Sequence, residues 1–283
     1  MLDLYISNKN ALTGLESALR IAISNANNFN TPGYKYVHAS FTTMYSEAIT
    51  SGTESTNPVV LGQGMTLGST STDFSQGPIS SGTATDAAIM GEGFFILSTG
   101  ANEQALNTSA NYYTRSGRFQ TDAANEYMVD DFGRKVFGYQ TDKAGNVISS
   151  KLEPIQTGGY TDVSFTEGGI LVANEGSDNE VHLFQLALTT FQNKEGLVPV
   201  SGAAFSQTVA SGERLEPSVA GNPIGGDGSA IYGDVLGGSL ESSNVDIPRV
   251  ALDMNILNRS YTATQGVIDD VTKVFNETMK VLK

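Results

Sequence analysis

The segment from Pro248 to Lys283 constrains the fold most, because its apolar residues recur at alternating spacings of four and three. This seven-residue repeat is typical of a helix packed along another helix. Asp246 and Pro248 suit a helix start, and no later proline interrupts the segment. The spacing predicts one helix about 54 Å long, which needs a partner. The predicted seam consists of Val250, Met254, Leu257, Tyr261, Ile268, Val271, Phe275 and Leu282, with Thr264 and Thr278 at its two weaker positions.

The beginning of the chain offers that partner. A first helix is predicted from Asp3 to Asn28, ending before the Pro32-Gly33 turn signal. Its seam consists of Tyr5, Leu12, Leu15, Leu19, Ala22, Ala26 and Phe29, with the polar Asn8 at one position. We therefore expect the termini to pair. Because isolated helices are marginal in water, the pair either orders between neighbouring subunits or forms an intramolecular hairpin packed on the rest of the chain.

Each predicted helix contains one internal glycine, Gly14 in the first and Gly266 in the last. Glycine costs about 1 kcal/mol relative to alanine inside a helix. Both glycines are therefore expected to admit a close neighbour.

The middle of the chain has strand signals instead. Short apolar or alternating runs are separated by Gly- and Asp-containing turn signals, which favours tight turns between antiparallel strands. The predicted strands are Ala88 to Leu97, Tyr112 to Phe119, Tyr127 to Val129, Lys135 to Tyr139, Gly169 to Ala173 and Val181 to Phe191. The expected fold class is α+β, mainly β, with a central antiparallel β domain and paired terminal helices in a coiled-coil-like layer.

Segments rich in Gly, Ser and Thr flank this β region on both sides. The stretch from Thr50 to Thr85 is too long for an ordinary connection, so we expect it to pair or to become ordered on assembly. The predicted organisation is a discontinuous helical assembly domain at 1–34 and 244–283, connecting segments at 35–85 and 194–243, and a β domain at 86–193.

Composition excludes several function classes. Lys and Arg total 16 against 30 Asp and Glu, for a net charge of −14, so nucleic acid is not an expected partner. There is no cysteine, which removes disulfides and thiol chemistry. No apolar run is long enough to predict a transmembrane segment, and an acidic Asp3 stands where a secretory signal would be basic.

Catalytic and metal-binding patterns are also lacking. The two histidines, His38 and His182, have no ligand-spaced partner, and Gly91-Glu92-Gly93 is not completed to a dinucleotide fingerprint. The acidic pairs Asp130-Asp131 and Asp269-Asp270 are interpreted as a turn and a solvated helix face. We predict no enzymatic activity, no cofactor and no metal site.

Five short motifs occur in order along the chain, at 24–35, 74–77, 88–95, 113–119 and 240–246. Their most specific positions are Asn27, Asn28, Asn30, Thr31, Gly33, Gln76, Gly77, Gly91, Gly93, Phe94, Phe95, Thr114, Arg115, Gly117, Leu240, Glu241, Ser243, Asn244 and Val245. Together they resemble the motifs of the bacterial flagellar axial family, the rod and hook proteins. The resemblance favours a basal-body rod protein of the distal type, with a short hook protein as the alternative.

The resemblance implies a structural subunit that leaves the cytoplasm through the flagellar export apparatus and assembles helically into a hollow tube. Its partners would be copies of itself and adjacent rod or hook proteins. Its place would be the periplasmic rod, or the cell exterior if it is a hook. An alternative of another class, a secreted or surface β-rich adhesin or enzyme, shares the acidic, cysteine-free composition.

Overall fold

A computed structural model describes residues 2–44, 46–50, 59–62, 64–100, 111–122, 126–149, 151–220 and 232–281. The chain forms two compact units, each assembled from distant segments. Unit 1 comprises Met1–Asn28, Tyr36–Asp73 and Val245–Lys283, and unit 2 comprises Phe29–Lys35 and Phe74–Asn244. Each unit therefore depends on residues from both halves of the sequence.

The two predicted helices are present, as α1 (Leu2–Asn27) and α2 (Ile247–Val281). Near the end of α1, the Asn28 backbone N–H donates to the Ser24 carbonyl at 3.1 Å. In the first turn of α2, the Val250 N–H donates to the Asp246 carbonyl at 3.0 Å. Pro248 lies in that turn, where its missing N–H has no helical acceptor to lose.

In the part of the chain that the structure describes, twenty strands lie between the helices, and every pairing among them is antiparallel. They are β1 (Val37–Thr43), β2 (Ser46–Thr50), β3 (Val59–Gly62), β4 (Met65–Thr72), β5 (Ile79–Ser81), β6 (Ala87–Met90), β7 (Phe94–Ser98), β8 (Asn111–Thr114), β9 (Gln120–Asp122), β10 (Tyr127–Val129), β11 (Lys135–Gln140), β12 (Glu153–Pro154), β13 (Val163–Phe165), β14 (Ile170–Ala173), β15 (Val181–Leu186), β16 (Leu188–Thr189), β17 (Val198–Val200), β18 (Ala204–Ser206), β19 (Asp234–Gly237) and β20 (Ser239–Glu241). A short 3₁₀ turn, Lys194–Gly196, precedes β17. The predicted α+β class and the antiparallel β domain are confirmed.

Unit 2 is built on a twelve-stranded sheet whose main path runs β13-β14-β15-β11-β7-β8-β18-β17. Strand β7 lies near its middle and is buried along its whole length. Phe94 and Ile96 join one hydrophobic cluster, whereas Phe95 and Leu97 join the other. Because successive side chains of a strand point to opposite faces, the sheet has a core on each side. The two-stranded sheets β6–β19 and β5–β20 complete the unit.

Two predicted strands are each divided in two, because their halves pair with different strands. The segment 88–97 forms β6, which pairs with β19, and β7, which pairs with β8, β11 and β16. The segment 181–191 forms β15, which pairs with β11 and β14, and β16, which pairs with β7. The alternation of apolar and polar residues indicates which side chains are buried. It does not show where a strand changes its pairing partner.

The unit boundaries differ from the predicted domain boundaries. Strands β17, β18, β19 and β20 lie within 194–243, which was predicted only as a connection, and β18 pairs with β8 of the large sheet. Within 35–85, β1 pairs with β4 and β2 pairs with β3, and both ribbons belong to unit 1. Both segments therefore contribute paired strands.

In unit 1, α1 and α2 run antiparallel and contact each other. The Tyr261 hydroxyl donates to Glu16 Oε1 at 3.3 Å, near the middle of both helices. Toward the other end, Asn25 exchanges hydrogen bonds with the Val37 backbone, and the adjacent Tyr36 hydroxyl donates to Asp253. The end of α1 therefore lies near the start of α2.

The predicted seam is covered along most of this pair. Its buried or half-buried members are Leu12, Leu15, Leu19, Ala22, Ala26, Val250, Met254, Leu257, Tyr261, Ile268 and Val271. Tyr5 and Phe275 are exposed, and Phe29 is exposed just after α1 ends. Leu282 lies outside the described residues.

The two helix glycines have different surroundings. A Cβ on Gly14 would lie 3.2 Å from the Leu67 nitrogen of β4, so the expectation of a close neighbour is confirmed there. A Cβ on Gly266 would meet no described atom within 4 Å, so the same expectation is wrong for this position within the described chain.

We predict that Gly266→Ala raises the free energy of unfolding of unit 1 by about 1 kcal/mol, the helix propensity difference. Gly14→Ala gains the same propensity but places a methyl group against the β4 backbone, so its melting temperature should fall below that of Gly266→Ala. Urea unfolding followed by the helical circular dichroism signal measures both variants. Equal stabilisation by the two substitutions would show that β4 does not approach α1 closely.

Candidate functional site

Residues from all five motifs meet around one buried carboxylate in unit 2, that of Glu241. We call Lys35, Gly77, Arg115 and Glu241 the Glu241 junction. Glu241 Oε1 accepts from Lys35 Nζ at 2.7 Å and from the Gly77 N–H at 2.9 Å. Glu241 Oε2 accepts from Arg115 Nε at 3.0 Å. The junction thereby joins segments that lie far apart in the sequence.

Backbone hydrogen bonds fix the position of Glu241. The residue ends β20, where it pairs with Ile79 of β5. Its carbonyl accepts from the Gly33 N–H at 2.8 Å, and the following Ser242 N–H donates to the Pro78 carbonyl at 2.8 Å. The main chain beside Glu241 is therefore bonded to two of the three segments that its carboxylate reaches.

The junction carries two cations against one anion, in a fully buried place. The side chains of Lys35 and Glu241 have no solvent exposure, and that of Arg115 has 5%. Buried charge is costly unless it is paired and hydrogen-bonded. Backbone carbonyls supply further acceptors: Arg115 Nη1 donates to Gly91 and Gly93 at 2.7 and 2.8 Å, and Lys35 Nζ donates to Ser75 at 2.6 Å.

Two motif amides brace the chain around these charges. The Gln76 side chain donates from Nε2 to the Ile89 carbonyl and accepts at Oε1 from the Gly91 N–H, both at 3.1 Å. It thus holds the turn whose carbonyls receive Arg115. Asn244 Nδ2 donates to the carbonyl and hydroxyl oxygens of Ser75, both at 3.1 Å.

Two motif glycines permit backbone approaches that a side chain would block. Gly33 has φ 68°, and a Cβ there would lie 2.2 Å from the Ser116 nitrogen. At Gly117 a Cβ would lie 1.5 Å from the Ala87 carbonyl oxygen, which is far shorter than any distance between non-bonded atoms. These positions require glycine because the neighbouring main chain occupies the space of a side chain.

The other motif positions have separate roles. Phe94 and Phe95 fill opposite cores, and Thr114 Oγ1 donates to the Ala203 carbonyl and accepts from the Ser116 N–H. Asn28 Nδ2 donates to the Ser24 carbonyl. Of the remaining motif residues, Ser243 and Val245 are buried, Thr31 and Leu240 are half-buried, and Asn27 and Asn30 are exposed.

Sequence reasoning did not single out Lys35 or Ser75, although both lie inside the quoted motifs. Lysine is rarely buried, so the presence of Lys35 in a motif does not indicate that its ammonium group makes buried contacts. The signal that could have found it is charge balance. A buried ion cluster could be formed by the opposite charges that the motifs contribute, at Lys35, Arg115 and Glu241.

The acidic pairs and the two histidines also have defined surroundings. Asp130 Oδ1 accepts from the N–H groups of Phe132 and Arg134 in a tight turn, and its Oδ2 accepts from Arg134 Nε at 2.7 Å. Asp269 and Asp270 lie on the exposed face of α2. The turn and the solvated helix face are therefore confirmed. His182 lies beside Glu180 at 3.2 Å, and His38 packs edge-on against Tyr36.

The geometry favours a structural role for the junction. Its charged groups are bound to one another and are closed to solvent, so a substrate has no access to them. Within the described ranges, no cluster of three or more His, Cys, Asp or Glu side chains could hold a metal ion. Neither α1 nor α2 is apolar enough over a sufficient length to cross a membrane.

Comparison with known proteins gives consistent matches to flagellar components. The chain is 28% identical to the flagellar basal-body rod protein FlgG of Agrobacterium fabrum, over 95% of this chain and 98% of that protein. It is 30% identical to the rod protein FlgG of Borreliella burgdorferi, over 87% and 85%. Flagellar hook protein FlgE of Helicobacter pylori is 30% identical over 48% of this chain and 18% of its own length. No protein-family model matches the chain.

We predict that Glu241→Gln lowers the free energy of unfolding of unit 2 by about 3–5 kcal/mol, because it leaves two buried cations without a counter-ion. Glu153→Gln, on the exposed part of β12, is the matched control and should change the value by less than about 0.5 kcal/mol. Urea denaturation followed by tyrosine fluorescence reports both. A loss no larger than that of the control would mean that the carboxylate does not hold the junction.

Proposed function

We propose a structural role, because this chain belongs to the family of bacterial flagellar rod and hook proteins. It is a subunit of the flagellar axis and not an enzyme. The observation that carries this conclusion is the match to rod proteins along nearly the whole of both chains. The closed, fully buried Glu241 junction supports it, since the family motifs are used for packing and not for chemistry.

A rod subunit of the distal type is favoured over a hook subunit. Rod relatives align across 87 to 95% of this chain, whereas the hook relative aligns across 48% of it. A hook protein also has most of its length outside the match, since only 18% of the Helicobacter pylori protein is covered. A short hook protein remains the second candidate, because the hook match is itself 30% identical.

The helices of unit 1 are proposed to be the assembling layer. The burial of Leu15 and Val250 and the Tyr261–Glu16 hydrogen bond between α1 and α2 support a coiled-coil-like pairing along the heptad seam. Copies of this pair would surround a central channel, so that the subunits form a hollow tube. Further exported subunits would pass through that channel after leaving the flagellar export apparatus. Neighbouring partners would be further copies and adjacent rod or hook proteins.

The junction suits a subunit that transmits torque. Load on unit 2 tends to separate segments that are connected only through long stretches of chain. Lys35 and Glu241 are 206 residues apart in sequence, and Arg115 and Glu241 are 126 apart. Charge-assisted hydrogen bonds between them hold these segments together in a water-excluded place, where such bonds are stronger than at a surface.

Assembly of the purified protein tests the proposal. Concentrated wild-type protein should form tubes or fibres in negative-stain micrographs, and a tagged copy in cells should lie in the envelope-spanning rod. Leu15→Glu should prevent assembly, because Leu15 is buried in the seam and an unpaired buried charge costs several kcal/mol. Val209→Glu, at a fully exposed position of unit 2, is the control and should still assemble.

Failure of the wild-type protein to assemble under any condition would favour a secreted adhesin or enzyme. A tagged copy found outside the cell would favour the short hook. Normal tubes from Leu15→Glu would mean that the helix pair is not the assembling layer.

A further inference from the structure

Residues 232–244, which we call the return segment, contact several parts of unit 2 that lie far earlier in the sequence. Strand β19 pairs with β6, and strand β20 pairs with β5. The Gly168 N–H, in the turn between β13 and β14, donates to the Val235 carbonyl at 2.9 Å. Glu241 supplies the carboxylate of the Glu241 junction. The return segment thereby connects parts of unit 2 that are not neighbours in the chain.

Strands β5 and β6 depend on the return segment for their pairing. In the described part of the chain, β6 is hydrogen-bonded in a sheet only to β19, and β5 only to β20. Ala87, Ala88 and Ile89 of β6 have no solvent exposure. Without β19, the backbone groups of β6 that bond to it would lose their protein partners, which costs free energy in a buried place. Strand β6 therefore has no paired position in unit 2 unless the return segment is present.

The return segment also completes one of the two cores of unit 2. The side chains of Tyr232 and Val235 are 3% and 1% exposed, and both belong to the hydrophobic cluster on one side of the large sheet. The same cluster contains Phe95 of β7, Phe165 of β13 and Leu186 of β15. Because apolar burial stabilises in proportion to the area removed from water, absence of the return segment would destabilise this core.

Glycines allow the return segment to lie directly against the backbone of its neighbours. A Cβ on Gly237 would lie 1.8 Å from the Phe165 carbonyl oxygen. A Cβ on Gly233 would lie 2.2 Å from the Met90 carbonyl oxygen. Each distance is far too short for non-bonded atoms, and a backbone carbonyl cannot move aside as a flexible side chain can. A single added methyl group is therefore enough to obstruct docking of the return segment.

We propose that the return segment controls the folding of unit 2, so that the earlier part of unit 2 has no stable folded state until this segment docks. Without it, Lys35 and Arg115 lack their counter-ion, β5 and β6 lack their pairing partners, and one core is incomplete. The net stability of a domain is small, so these losses together are large enough to abolish it.

The inference rests on the proposed function for its biological role. A subunit that passes through a channel must stay unfolded until it has left that channel. A chain of which either the return segment or its binding partners in unit 2 is still inside the channel cannot complete the Glu241 junction. The fold itself would thus delay the formation of unit 2 until the subunit has been delivered.

The competing arrangement is a local one, in which the large sheet folds alone and the return segment docks on it afterwards. The second core of unit 2 makes this a real alternative, because its buried cluster includes Phe94, Ile96 and Phe137 but no residue of the return segment. In that arrangement, opening the return segment would cost less free energy than opening the large sheet. The two arrangements therefore differ in which backbone amides become exposed together.

Two alanine variants of the full chain provide the test without changing any charge. Gly237→Ala places a methyl group against the Phe165 carbonyl and obstructs docking. Gly238→Ala is the matched control, because a Cβ on this adjacent residue would meet no described atom within 4 Å. Gly238 has φ 64°, so the control carries only the strain of alanine in the left-handed region, about a tenfold effect on the unfolding equilibrium. Gly237→Ala should raise the unfolding equilibrium constant of unit 2 about a hundredfold.

Amide hydrogen exchange of the full chain, resolved by peptide with mass spectrometry, measures the opening of each strand. In the wild type, peptides from β19 and β20 should share one opening equilibrium with peptides from β14, β15 and β18. Gly237→Ala should accelerate exchange in all of them by the same factor, and by about ten times more than Gly238→Ala does. Complete exchange throughout unit 2 in Gly237→Ala, with Gly238→Ala still protected, would be the strongest form of this result.

Two results would overturn the proposal. Faster exchange of β5, β6, β19 and β20 than of β14, β15 and β18 in the wild type would show that the return segment opens locally, and the wild-type measurement needs no variant to fold. Equal effects of Gly237→Ala and Gly238→Ala would show that the obstructed contact does not control unit 2. Exchange is measured on unassembled protein, so a wild type that never forms tubes would contradict the proposed function and leave the folding result unchanged.

Discussion

The buried carboxylate of Glu241 is the interaction on which unit 2 depends. It neutralises Lys35 and Arg115 in a place without solvent, while the Gly77 N–H completes its shell. Removal of the carboxylate would leave both cations buried without a counter-ion, which costs more than the loss of an ordinary hydrogen bond. The surrounding motif residues follow from this need. Gln76 fixes the carbonyls that receive Arg115, and the glycines let the backbone segments approach one another.

This arrangement makes the fold depend on its last part. Glu241 is followed by α2, and α2 contacts α1. Both Lys35 and α1 therefore lack these contacts until Glu241 and α2 are present. Long sequence separations between contacting residues slow folding, because loop entropy is lost before contacts form. The chain consequently gains its main stabilising contacts only when its C-terminal part is present.

The helices were predictable because their signal is periodic and local. Apolar spacing located both to within about two residues, and Leu15 and Val250 of the predicted seam are buried. Phe275 fits the same period but is exposed, because periodicity defines a face and does not show how much of that face a neighbour covers. Likewise, the runs at 88–97 and 181–191 signalled buried strands correctly but could not show where pairing changes.

The junction could not be derived from the residues alone. Lys35, Arg115 and Glu241 are ordinary surface residue types, and no local pattern distinguishes a buried ion pair from a solvated one. Only the family resemblance marked Arg115 and Glu241, without giving them a role. Gly117 shows the same limit. Its need for glycine comes from the Ala87 carbonyl, which only the tertiary fold brings close.

The most direct test of this account is to change the charge balance of the junction and to measure stability. With Glu241→Gln, two cations are left unpaired, so the additional substitution Lys35→Met should recover stability by removing one of them. The free energy of unfolding of the double variant, from urea titration, is predicted to exceed that of Glu241→Gln by about 1–3 kcal/mol. If the losses of the two single variants simply add, Lys35 and Glu241 are not coupled, and the buried carboxylate is not what holds the motifs together.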